Sequence, residues 1–251
     1  MAAAEEALRA TAKNTEGAKD RPRPSHRLRG VPPFALALVL LAGCAGPIRP
    51  VGFLPDYEGL RPVQGMDISV WRTEALDVPS TPAVVAILGA RWAERNETAN
   101  ADLALYCEDL LERECYDALL ARYPAPVIVI REEDIDVYLR VRDPVYVLVV
   151  AVTEADPGIG VVRYVVGYYA GAAKMQAEFA LRDARTNRLM ATFATRRAHA
   201  GDSYGGLNPR SMSAEYTLKK LTPGIARDAV AVMADILAGK EIVFQEPADE
   251  Q

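Results

Sequence analysis

The stretch "KMQAEFALRDARTNRLMATFATRR", residues 174–197, decides the fold. Met175, Ala177, Phe179 and Leu181 alternate with Lys174, Gln176, Glu178 and Arg182, a period of two that predicts a strand with one face on a core and one toward water. "DARTNR" interrupts the pattern, and "LMATFATRR", 189–197, resumes it. The segment is therefore predicted to be a β-hairpin. Asp183 suits the opening of its turn, and Asn187 suits a left-handed position.

Upstream, "VYVLVVAVTEA" from Val145 and "VVRYVVGYY", 161–169, are β-favouring, and "TPAVVAILGARW", 81–92, and "APVIVI", 125–130, read as buried strands. From about Thr98 to Arg122, Leu103, Cys107, Leu110, Leu111 and Leu119 recur at helical spacing, with Pro124 as the stop. Thr222-Pro223 is expected to cap a final helix with Ile225, Ala229, Val232, Met233 and Ile236 inward and Gly239 at its end. The fold class expected is α+β: an antiparallel sheet of about four to six strands with the 98–122 and 223–238 helices packed on one face.

The amino-terminal region is organised differently. Residues 1–43 hold seven Lys/Arg against four Asp/Glu, leaving 22 basic and 30 acidic residues from Cys44 onward. An acidic body repels phosphate backbones, so nucleic acid is not expected as a partner. Arg21, Arg23, Arg27 and Arg29 precede an apolar run, Val31–Gly43, of 13 residues. About 20 are needed to span a bilayer as a helix, so the run reads as the h-region of a signal peptide. The alternative is a buried core segment whose cysteine is a small hydrophobe.

Leu41-Ala42-Gly43-Cys44 resembles the lipobox of bacterial lipoproteins. That resemblance implies diacylglycerol on the Cys44 thiol, cleavage between Gly43 and Cys44, and acylation of the new amino group. Ala45, where the enterobacterial retention signal would have Asp, implies the inner leaflet of the outer membrane, facing the periplasm. The long n-region before the h-region suits a translation start nearer Leu28 or Val31.

After Cys44, "AGPIRPVGFLPDYEGLRPVQG" holds four prolines and four glycines in 21 residues and reads as an extended tether. Gly52–Tyr57 resembles the "GFLxDY" opening of a broad family of bacterial lipoproteins of unknown function. Phe53, Leu54 and Tyr57 are spaced to dock the tether's end onto the domain. The hairpin resembles a recurrent signature of the same class, with Asn187 in place of the usual glycine. The expected organisation is a signal peptide over 1–43, a lipidated cysteine and tether over 44–66, one α+β periplasmic domain over 67–240 and a flexible tail over 241–251.

Catalytic signatures are sparse. His26 would leave with the signal, so His199 would stand alone, which excludes multi-histidine zinc sites. His199, Asp202 and Ser203 share one loop without a G-x-S-x-G elbow. Glu132, Glu133, Asp134 and Asp136 lack the ligand spacing and turn glycine of a calcium loop and read as a solvated face. Tyr138, Tyr146, Tyr164, Tyr168 and Tyr169 could line a glycan or lipid groove, or simply cover the sheet. Cys107 and Cys115 are eight residues apart on one helix, about 12 Å of rise. A disulfide tolerates at most about 7 Å between Cα atoms, so they are not expected to pair.

The sequence thus points to a non-catalytic envelope lipoprotein acting as an adaptor, assembly or binding module. It would have the membrane as partner through Cys44, an envelope protein as second partner, and no cofactor or metal. The alternatives are an enzyme on envelope glycan or lipid, and a small-ligand or lipid carrier.

Overall fold

The computed structural model describes residues 46–72, 84–123, 126–130, 145–158, 172–199 and 213–246. The chain divides into units Met1–Ala37 and Leu38–Gln251, and every described residue lies in the second. The signal segment with Cys44, the 161–169 strand, the 132–136 acidic cluster and Asp202 and Ser203 lie outside the described residues.

The predicted hairpin forms as β6 (Ala173–Asp183) and β7 (Leu189–His199), antiparallel with Phe179 opposite Phe193. Asp183 Oδ1 accepts hydrogen bonds from the backbone N–H and hydroxyl of Thr186, and Asn187 adopts φ 53°. Around it, β1 (Arg61–Pro62), β2 (Ser69–Arg72), β3 (Val84–Gly89), β4 (Val127–Val129) and β5 (Val145–Asp156) complete one sheet. Its order among the described residues is β1-β2-β7-β6-β5-β3-β4.

The α+β class is as expected, but the sheet has seven strands among the described residues rather than four to six, and it is mixed rather than wholly antiparallel. Strand β3 runs parallel to both β4 and β5. Between β3 and β4 the chain passes through α1 (Trp92–Arg95) and α2 (Ala101–Leu120). A helix of 20 residues carries the chain back across the sheet, so the next strand points the same way as the last.

Helix α2 and the last helix, α4 (Thr222–Leu237), cover one face as expected, meeting Val150, Val152, Met175, Ala177, Phe179, Leu181 and Phe193 in the main core. Cys107, Leu111 and Leu119 are fully buried on α2; Ile225, Ala229, Val232, Met233 and Ile236 are buried on α4. Each large apolar side chain so buried contributes about 1.5–3 kcal/mol. Gly239 ends α4 at φ 67°.

Thr222 is not the cap of α4. Its hydroxyl donates to the carbonyl of Lys219, and Leu221 before it is already helical at φ −82°. The chain enters α4 almost directly from α3 (Ala214–Lys219), so the capping role falls to Ser213, whose Oγ accepts from Tyr216 N. Residues 241–246, placed in the expected tail, return to the sheet edge. Val63 bridges Phe244, and Gln245 N donates to Pro62 O.

Candidate functional site

The opposite face of the sheet carries the site. Gln176 and Glu178 project there from β6, and both are fully buried rather than facing water as their alternation predicted. What excludes the water is the tether itself, running over β6 and β7 from Gly46 to Tyr57. Strand alternation shows which residues share a face; it does not show that a distant segment covers them.

The contacts are reciprocal. Arg49 N donates to Gln176 Oε1 at 2.7 Å, and Gln176 Nε2 donates to Arg49 O at 2.7 Å, so the tether backbone pairs with a side-chain amide as with a neighbouring strand. Gln176 Nε2 also donates to Glu178 Oε1 at 2.7 Å. Tyr57 OH donates to Glu178 Oε2 at 2.7 Å and accepts from Val51 N at 3.1 Å and Leu54 N at 3.4 Å. One phenol thus closes the tether's turn and fastens it to the sheet. Leu54 is buried beneath, and Phe53 meets the edge of Trp92 with ring centroids 5.6 Å apart. The docking role read for Phe53, Leu54 and Tyr57 is what the structure shows.

A β-bulge in β5 supplies the remaining groups. The register with β6 shifts between Val152 and Glu154, which brings Thr153 and Glu154 toward the same face. Thr153 Oγ1 donates to Glu178 Oε1 at 2.8 Å. Glu154 takes two hydrogen bonds from Arg196, at 2.9 and 3.0 Å, and one from Arg49 at 3.3 Å. Gly46 lies against the same guanidinium: a Cβ there would stand 2.9 Å from Arg196 Nη1, and its φ of 77° already favours glycine.

Glu178 therefore sits among three donors, the hydroxyls of Tyr57 and Thr153 and the amide of Gln176. Burial pushes its carboxyl above the usual range, and those three hydrogen bonds pull it partly back. Burial likewise raises the Tyr57 phenol. The arrangement holds a chain segment against the sheet.

On the helix side, the bulge leaves Val152 N free of the ladder, and buried Glu108 of α2 accepts it at 3.1 Å together with Arg91 N at 2.7 Å. One turn on, Glu112 is pushed up to about 7 by burial, then by the charges of Glu108 and Asp109. It packs on Gly89 and helps line a groove of about 500 Å³ with Asp109, Arg113, Tyr116 and β4.

The other candidates are dispersed. His199 ends β7 opposite Ala173, and among the five tyrosines only Tyr146 is described, buried in the helix-side core and so not lining a groove. Cys107 and Cys115 are free and buried, unpaired as the helix spacing required. Gln176, Glu178, Thr153, Glu154, Arg196 and Arg49 went unrecognised in the sequence. The available signal was a Gln-x-Glu pair within a strand otherwise headed for the core, together with Tyr57 in the tether.

A family model described as a domain of unknown function (DUF4410) matches residues 137–201. No curated protein matches. Among solved structures, the chain is similar to a PelC dodecamer from Paraburkholderia phytofirmans, at 16% identity over 63% of this chain and 97% of that one, TM-score 0.35. It is also similar to a protein from Caulobacter crescentus provisionally described as a lipoprotein, at 17% identity over 53% and 85%, TM-score 0.33. A DUF330 protein from Xanthomonas campestris shares 14% identity over 67% and 92%, TM-score 0.36. These are partial resemblances. The stretch matched by the family of unknown function holds β5 to β7, and with them every sheet residue that grips the tether.

Proposed function

We propose that the chain is a bacterial envelope lipoprotein, anchored by lipid on Cys44 and facing the periplasm. Its α+β body serves as a non-catalytic adaptor, assembly factor or binding module. The observation that supports this best is the site just described: the segment beginning two residues after Cys44 is built into the fold by a buried polar network. A cysteine at that junction is where an anchor would transmit position to the body.

The chemistry is consistent with the lipobox resemblance. Burying acyl chains yields about 0.8 kcal/mol per methylene, and two or more chains anchor stably where one does not. Ala45 favours the outer membrane's inner leaflet.

Growth with labelled palmitate followed by membrane fractionation tests the proposal. Wild type should carry label and sediment with membranes, whereas Cys44→Ser should lose both. A Cys44→Ser protein equally labelled and equally sedimented would refute it. Cross-linking in intact cells then tests the adaptor role: a discrete heteromeric adduct is expected, and turnover of a cell-wall or lipid substrate by the purified body would overturn the non-catalytic reading.

A further inference from the structure

The position of the grip along the chain has a geometric result. One residue, Ala45, separates Cys44 from Gly46, so two Cα–Cα steps span at most about 7 Å. Gly46 itself lies against Arg196 of β7. Had the folded body begun only at β1, the leash from Cys44 to Arg61 could reach about 60 Å. Pro/Gly content alone suggests the long leash; the hydrogen bonds of Arg49 and Tyr57 to the buried Gln176 and Glu178 remove it.

We infer that the tether grip makes this protein a short-leashed one, whose sheet end around Gly46 is held on the headgroup surface of the bilayer carrying its anchor. This rests on lipidation of Cys44 as proposed above. The surface so placed surrounds a hollow of about 350 Å³ that Gly46, Pro47, Ile48, Pro62, Asp67 and Gln245 help to line. Helix α2 packs on the other face of the sheet and is directed away from the membrane. Unlatching Gln176 and Tyr57 returns the body to a long leash without changing the anchor.

The test uses full-length lipidated protein in phosphatidylethanolamine/phosphatidylglycerol vesicles bearing a headgroup acceptor dye. A donor is placed at Gln245→Cys or at Asp117→Cys, the latter exposed on α2; Cys107 and Cys115 are buried and Cys44 is blocked by lipid. Energy transfer should be stronger from position 245 than from 117. Twelve Gly/Ser residues inserted between Ala45 and Gly46 should abolish that difference. The pair Gln176→Ala with Tyr57→Phe should abolish it too, and the insertion leaves the fold untouched if that pair destabilises it. Equal transfer from both positions in palmitoylated wild type, or a difference that survives the insertion, overturns the inference alone. Protein that takes up no palmitate overturns it together with the anchoring proposal.

Discussion

Tyr57 is the residue on which the grip turns, because its hydroxyl serves two tether N–H groups and one sheet carboxylate at once. Tyr57→Phe removes all three hydrogen bonds, leaving the part-buried Leu54 N–H and Glu178 carboxylate short of a partner, and should cost about 1–2 kcal/mol, read as a lower urea midpoint at unchanged slope. Limited proteolysis should then cut between residues 46 and 57 before it cuts the hairpin. Glu112 gives a pH test whose sign is fixed by its raised carboxyl, at about 7 against an ordinary 4.5. The folded state holds that proton more tightly than the unfolded chain, so this contribution is fully present at low pH and is lost as pH rises from about 4.5 through 7. Glu112→Gln should therefore match wild type near pH 4 and exceed it at pH 8 by about 1 kcal/mol, a figure discounted for partial exposure. A variant with the same pH slope as wild type would mean that the Glu112 carboxyl is not raised.

At the scale of elements, the hairpin was legible because two independent signals agreed, an alternation on both strands and a turn whose residues fit its geometry. Asn187→Gly should leave stability nearly unchanged, while Asn187→Ala, with no side-chain compensation at φ 53°, should cost about 1 kcal/mol by thermal denaturation. Helix α2 was legible from its periodicity, and with it the separation of its cysteines. Burial pushes Cys107 up to about 12 and Cys115 higher still, so neither should react with iodoacetamide at neutral pH until denaturant unfolds the helix. Parallel pairing of β3 with β4 and β5 was not legible. An apolar run such as "VVAIL" fits a buried strand of either direction, and the direction of β4 relative to β3 is set by the path of α2. Nor did anything within β6 distinguish Gln176 and Glu178 under a cover from the same residues in water, because the cover comes from residues more than 120 positions away.

For the whole molecule, the contacts with the sheet begin at Gly46, two positions after the cysteine proposed to carry the anchor. The docking residues Phe53, Leu54 and Tyr57 were readable in the sequence, but the tether's Pro/Gly-rich composition suggested slack where the fold takes it up. Composition reports what a segment can do unbound, and Tyr57, Gln176 and Glu178 determine what this one does. The central claim is that Cys44 becomes the lipidated first residue of the mature protein, and intact mass spectrometry with amino-terminal fragmentation of protein purified from membranes measures it directly. A chain beginning at Cys44 and heavier than its peptide by a diacylglyceryl group and one further acyl chain is the predicted result. A mature chain that retains residues before Cys44, or begins there with an unmodified thiol, would contradict it.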